Sequence, residues 1–265
     1  MRVVITGASG RMGQMLVRAV VQAENTELVG ATERKGSSLV GKDAGLVAGI
    51  EATGTLLTDN LHACAEADVL IDFTAPTACL EHAAIAAQKG MAMVIGTTGF
   101  DADQQSQLDQ TLKQSPMILA ANYSVGVNLA LNLIQQAAQV LAEDYDAEIY
   151  EAHHKHKVDA PSGTALAMGK ALASGRNVDL NDVAVYAREG ITGEREKGSI
   201  GFSVARGGNI VGDHKTMFIA DEERIEINHF ASDRMVFAKG AVRAATWLVS
   251  KGAGKYDMQD VLGLR

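Results

Sequence analysis

The 265-residue sequence predicts an α/β fold, a doubly wound parallel sheet, joined to a second α+β domain with an open mixed or antiparallel sheet. Three observations carry that expectation. Short apolar runs alternate with helically spaced segments from residue 2 to about 124. A glycine-rich turn, Gly7 to Gly13, separates the first run from the first helix. From 183 to 230, strand-like runs follow one another through short turns, which suits an antiparallel or mixed sheet.

The elements follow in order. Arg2–Thr6 is a strand-type run, and Met15, Leu16, Ala19 and Val20 recur at helical spacing beyond the glycine turn. Strand, glycine turn, helix is the setting of a dinucleotide fingerprint, because backbone N–H groups at a helix start hold a pyrophosphate. The spacing is G-x-x-G-x-x-G; the strict form needs glycine at Ala8. Taken alone, the triplet equally describes a tight turn. The second run, Glu27–Thr32, ends at Glu33-Arg34. Glu33 lies twenty residues after Gly13, where an acidic group meets the adenosine ribose hydroxyls. Arg34 beside it suits a 2′-phosphate, so the pair predicts use of both NADH and NADPH. This makes the first sheet Rossmann-type.

Residues 36–54 read as a loop with at most a short helix. Strands follow at 67–74, 91–95 and 117–121, with a helix opened by Pro76 and a polar helix from Asp101. Ligands of such sheets sit at strand carboxyl ends, where Gly7–Gly13, Gly96–Gly99 and Ala120–Tyr123 fall. Residues 125–142 read as an apolar helix bridging two domains. Beyond it come strands at 147–151, 183–187, 199–205, 209–219 and 223–230, and a helix at 163–173. A last helix, 235–249, holds Trp247 and is expected to return to the first domain. The expected domains are 1–124 with 234–265, and 125–233.

Composition excludes some classes. The net charge is −8, which disfavours a nucleic-acid binder. No signal peptide or membrane-length apolar run is visible. Cys64 and Cys79 sit in alanine-rich surroundings and read as buried thiols of a reducing, cytoplasmic compartment.

The chemistry concentrates in Glu151 to Ala165, EAHHKHKVDAPSGTA. Three of the seven histidines and two lysines lie within five positions. Ser162 is a good N-cap, and Gly163-Thr164 follow with backbone N–H groups at a helix start. Upstream cations add to the helix dipole, so the segment reads as an anion trap that can also move protons. A continuous strand would set His153 and Lys157 about 13 Å apart at roughly 3.3 Å per residue, too far to share one small molecule. Either the strand ends near His153–His154 and the chain turns, or one of the two is not catalytic; Pro161 and Gly163 favour the turn. A solvated basic loop is the plainer alternative. A metal site is disfavoured, since adjacent strand histidines point to opposite faces and no cysteine is near.

Other dinucleotide enzymes fit poorly. None of the tyrosines is followed four residues later by lysine, as short-chain dehydrogenases require. Neither cysteine sits at a strand end where an acyl-thioester chemistry would need it. Glu-Lys-Pro, the mark of the glucose–fructose oxidoreductase type, is replaced by Gly-Thr-Thr-Gly.

The motifs GASGRMG (7–13), ER (33–34), DFT (72–74), GTTGF (96–100), NYSVGVN (122–128) and the 151–165 block resemble the dihydrodipicolinate reductase family. YAREGITGER (186–195) and GFSVARGGNIVGDH (201–214) extend the resemblance over the whole chain. It implies a nicotinamide cofactor held by Gly7, Ala8, Ser9, Gly10, Arg11, Met12, Glu33, Arg34, Gly96, Thr97, Thr98, Ala120, Ala121, Asn122 and Tyr123. It implies His153 as proton donor or acceptor and Lys157 as proton donor, with His154, Gly163 and Thr164 holding substrate carboxylates. Tyr123 stands where phenylalanine is frequent, and is expected to add a hydroxyl near the nicotinamide; Lys155 replaces a frequent arginine. The implied reaction removes water from a hydroxylated cyclic imine dicarboxylate and transfers hydride, with the domains closing around the two ligands. Family members are usually tetramers through the second sheet. A redox-sensing regulator would explain the first 124 residues equally well, but not the histidine block.

Overall fold

The computed structural model describes residues 1–64 and 66–264; Arg265, at the end of the expected 234–265 segment, lies outside them. Strand β1 (Arg2–Thr6) is buried on both faces from Val3 to Thr6, as a parallel strand under helices on each side must be. Helix α1 (Arg11–Gln22) and strand β2 (Glu27–Thr32) follow. The 36–54 loop contains a short helix, α2 (Ala44–Val47), whose cap Asp43 accepts the N–H groups of Gly45 and Leu46. Then come β3 (Leu57–Thr58), β4 (Val69–Asp72), α3 (Pro76–Lys89) and β5 (Ala92–Ile95). Helix α4 (Ala102–Thr111) starts in a capping box between Asp101 and Gln104, and β6 (Pro116–Leu119) closes this run.

Helix α5 (Val125–Leu141) leads into the second unit, Gly126–Asp233. Its elements are β7 (Asp146–His153), α6 (Gly163–Gly175), α7 (Leu180–Val183), β8 (Ala184–Val185), β9 (Ile200–Arg206), β10 (Gly212–Ile219) and β11 (Arg224–Ala231). The sheet order is β11-β10-β7-β9-β8. β7 runs antiparallel to β10 and parallel to β9, so the sheet is mixed. Ile134, Ala138, Ile149, Met168, Leu172 and Phe218 form its core against α5 and α6. The strand expected over 183–187 shrinks to two residues, because Asp179 caps a helical turn over Leu180–Val183.

The chain then returns to the first unit, which comprises Met1–Val125 and the segment from Arg234 onward. It adds α8 (Met235–Leu248), β12 (Gly254–Tyr256) and α9 (Met258–Leu262). Among the described residues, the first sheet runs β12-β6-β5-β4-β1-β2-β3. All its pairings are parallel. β3 and β12 were not expected from the sequence. Leu16, Val17 and Val20 of α1 share one core with Ala238, Ala241, Ala245 and Leu248 of α8. At Gly240 a Cβ would lie 1.8 Å from the Tyr123 carbonyl oxygen, so glycine lets α8 pass directly against the chain leaving β6.

Candidate active site

In the first unit, the carboxyl ends of β1, β2 and β4 open a cleft of about 1080 Å³. Gly7, Ser9, Gly10, Glu33, Arg34 and Thr74 are among its walls. Gly7 adopts φ +61°, and a Cβ on Gly13 would lie 2.1 Å from the Gly7 oxygen. Glycine at both positions therefore lets α1 begin hard against the strand end. Its N-cap, Gly10, offers no side chain, so the first helical N–H groups are left for a ligand or water. The Glu33 carboxylate accepts from the Ser9 hydroxyl and from the Arg34 N–H at 3.0 Å. The Arg34 side chain lies exposed on the cleft wall.

The other residues expected at a cofactor do not line this cleft. Ala8 is buried, its N–H donating to Thr32. Arg11 is exposed and Met12 packs on the core. Gly96 touches the Phe73 ring, which a Cβ would meet at 2.2 Å. The Thr97 hydroxyl is turned inward to Asp72, while Thr98 and Ala121 are exposed and Ala120 is half-buried. Asn122 accepts the Ser124 N–H at 2.8 Å. Tyr123 corrects an expectation. Its ring is 1% exposed and its hydroxyl donates to the Ile95 carbonyl at 2.8 Å, so it faces the core rather than a ligand. A buried phenol needs an acceptor, and the strand-end carbonyls of β5 and β6 supply one. Burial pushes this phenol well above its ordinary pKa.

One carboxylate to which the sequence assigned no role lies behind Thr74 and His82 of the cleft wall. Asp72, fully buried at the end of β4, accepts from the hydroxyls of Thr6 (2.7 Å), Thr74 (2.8 Å) and Thr97 (2.6 Å). His82 of α3, which lines the cleft, places Nδ1 at 2.6 Å from the same carboxylate. Burial pushes the Asp72 carboxyl up, but the bonds from His82, Thr97 and Thr6 outweigh it and hold it below the usual range.

In the second unit, β7 turns one face inward: Ala147, Ile149, Glu151 and His153 are all buried. The first two serve the core and the last two meet as a carboxylate–imidazole pair, on the same face because strand side chains alternate. The strand ends at His153. The His154 N–H donates to Ile210, and the Lys157 N–H turns back to the His154 carbonyl at 3.1 Å, so the chain does turn there. The Lys157 ammonium is held by both Asp159 oxygens at 2.8 Å. Ser162 caps α6, accepting the Ala165 N–H at 3.1 Å; Gly163 is exposed and Thr164 half-buried. His154 is half-buried, its ring 6.2 Å from that of His156. His153 and the start of α6 are thus gathered around one strand end.

Glu151, Arg206 and His214 were not singled out by sequence. Glu151 is 1% exposed and stands 2.6 Å from His153 Nδ1. Arg206, paired with His153 across β9, grips both Glu151 oxygens at 2.8 Å. Ser162 donates its N–H to the same carboxylate at 3.0 Å. Burial raises the Glu151 carboxyl, and these bonds from Arg206, His153 and Ser162 more than reverse it. His214, opposite Glu151 on β10, meets His153 edge-on with ring centres 5.0 Å apart. Its Nε2 lies 3.0 Å from the Ser162 hydroxyl, and its Nδ1 is buried without a hydrogen-bond partner among the described residues. Burial, with His153 nearby, pushes His214 down to about 4.

Residues 1–123 match the family model described as dihydrodipicolinate reductase, N-terminus, and residues 126–262 match the corresponding C-terminus. The chain is 56% identical to the 4-hydroxy-tetrahydrodipicolinate reductase of Pseudomonas fluorescens (strain Pf0-1), over 99% of both chains. It is 52% identical to the protein of that name from Acinetobacter baumannii (strain ACICU), over 99% of this chain and 96% of the other. Among solved structures, a dipicolinate-bound dihydrodipicolinate reductase from Paenisporosarcina sp. TG-14 superposes with a TM-score of 0.77, at 25% identity over 98% of each chain. An amine dehydrogenase from Mycobacterium smegmatis, at 14% identity and TM-score 0.60 over 97% of this chain and 94% of its own, shares the fold alone.

Proposed function

The chain belongs to the dihydrodipicolinate reductase family, and from that premise we propose how its residues divide the reaction. It is an NAD(P)-dependent oxidoreductase that reduces 4-hydroxy-tetrahydrodipicolinate to tetrahydrodipicolinate, in lysine and diaminopimelate biosynthesis. The nicotinamide supplies the hydride when bound. The first unit fits such a cofactor: Gly7, the uncapped start of α1 at Gly10, and Glu33 border one cleft, and Gly13 lets the helix begin close to the strand end.

In this reading the backbone of Gly7–Met12 binds the pyrophosphate, Glu33 accepts the ribose hydroxyls, and Arg34 pairs with a 2′-phosphate when one is present. Both NADH and NADPH are then used. Gly96–Thr98 and Ala120–Tyr123, at the ends of the next two strands, meet the nicotinamide half through backbone groups, since Thr97 and Tyr123 spend their hydroxyls inward.

His153 exchanges the proton that matches the hydride. Lys157 is a second donor and must leave Asp159 to act. His154 and the N–H groups of Gly163 and Thr164 hold the substrate carboxylates at the positive end of α6. The observation that supports this most directly is the gathering of a buried histidine, His153, and a capped helix start at one end of β7. The cycle includes a step that brings the two ligands into contact. A homotetramer through the mixed sheet and a cytoplasmic location belong to the same reading. Tyr150 and Phe230 lie exposed on that sheet, on the face opposite Ile149 and Glu151. Among the described residues, no helix is long and apolar enough to cross a membrane.

The test is loss of nicotinamide absorbance, with substrate generated in place from pyruvate and aspartate semialdehyde by the condensing synthase. Turnover that requires the synthase supports the reading, and parallel rates with NADH and NADPH measure dual use. Tight cofactor binding without turnover would sink it.

A further inference from the structure

Resting on the assignment of the proton to His153, we propose that Glu151 is a positioning residue. Clamped by Arg206 and the Ser162 N–H, it fixes the His153 ring with its proton on Nδ1, leaving Nε2 as the nitrogen that exchanges with substrate.

Donors and acceptors decide the tautomer. An ionised carboxylate only accepts, so the 2.6 Å contact requires hydrogen on Nδ1. Glu151 cannot swing away: each oxygen also takes a bond from Arg206 at 2.8 Å, and Oε1 takes the Ser162 N–H. Arg206 is itself anchored, since Nη2 donates to the Asp159 carbonyl at 2.7 Å. A Cβ on Gly212 of β10 would lie 3.0 Å from Nε2, so any larger residue there would crowd the exchanging nitrogen.

The charged and titratable groups around the ring come from every neighbouring element. They are Glu151 on β7, Arg206 on β9, His214 on β10 with His229 beyond it on β11, and Lys157 and Asp159 in the following loop. Arg206 answers the Glu151 charge, and Asp159 answers that of Lys157. The Glu151–His153 contact is therefore set by geometry inside a charge-balanced shell. The same carboxylate ties the proton-exchanging ring to the first residue of the α6 cap, so one side chain registers the two halves of the site.

Glu151→Gln tests this. An amide presents one acceptor side and one donor side. With its oxygen toward Ser162, its NH₂ meets Nδ1 and favours the opposite tautomer. Expected is a fall in kcat of about ten- to a hundredfold, the scale of small misplacements of a catalytic group, at unchanged NADH affinity by fluorescence titration. In a His153→Gln background the same change is expected to add almost nothing, because a positioning residue has nothing left to position. Wild-type kcat in Glu151→Gln, or losses that multiply in the double variant, would overturn the proposal. Wild-type turnover in His153→Gln alone would overturn the underlying assignment and the proposal with it. Should Glu151→Gln fail to fold, Glu151→Asp keeps the charge for Arg206 but withdraws it from Nδ1 by one methylene, and the same outcomes decide.

Discussion

Each unit buries a carboxylate at the end of a central strand, and each sets that carboxylate 2.6 Å from a histidine Nδ1. Their remaining partners differ. Asp72 is held by the hydroxyls of Thr6, Thr74 and Thr97, all neutral donors. Glu151 is held by a guanidinium and a backbone N–H. Neutral donors solvate a charge without cancelling it, whereas the Arg206 fork does both. Asp72 thus stitches β1, β4, α3 and the loop after β5 together around a retained negative charge. Glu151 has its charge answered before His153 is counted, and its bond to the ring can serve orientation. The same two side-chain types make a structural knot in one place and, in the other, an oriented pair at the site proposed for proton transfer.

The largest effect expected separates the two histidines. His153→Gln is expected to cut turnover a hundredfold or more, on the scale of general acid–base loss, with cofactor affinity intact. His82→Gln is expected to spare kcat at saturating cofactor. Equal losses from both would erase the distinction. Next comes acid sensitivity. His214 is held neutral, near 4, against an ordinary value of 6.5. Between these values the unfolded chain takes up a proton that the folded chain refuses. Stability therefore falls as pH drops through that window, by up to about 3 kcal/mol, and recovers as pH rises. Urea midpoints across the window should show this slope, and His214→Gln should flatten it; an unchanged slope would place the acid sensitivity elsewhere. Asp72→Asn removes the charge but keeps one acceptor oxygen. A loss of about 1–3 kcal/mol in urea unfolding is expected, and no loss would show that the knot does not depend on the carboxylate. The smallest effect concerns the exposed rim of the same cleft. Arg34→Ala should weaken NADPH about tenfold more than NADH, roughly 1.4 kcal/mol; equal weakening would show that Arg34 does not read the 2′-phosphate.

Legibility followed sequence distance and length. The Gly7–Gly13 turn, Glu33 and the α6 cap were readable because each is a local pattern with one geometric meaning. β3 and β12 were not, since two and three residues carry no periodicity and pair only because β2 and β6 offer them an edge. The Glu151–His153 pair was within reach: two residues apart on a strand, they must share a face. Arg206 was not, because 55 residues separate it from Glu151 and only the β7–β9 register brings them opposite. The inward turn of Tyr123 was equally hidden, as nothing local tells which way a ring at a strand end will point.

The first unit is assembled from both ends of the chain, with α8 in its core and β12 at its sheet edge. On the ribosome this has an order to it. The second unit is contiguous and can close as soon as residue 233 has emerged. The nucleotide-fold unit, although synthesised first, must wait with the apolar side of α1 uncovered until Ala238 to Leu248 arrive. The earlier-made part of this unit therefore stays incomplete until the later part arrives, for a time set by the length of the insert between them.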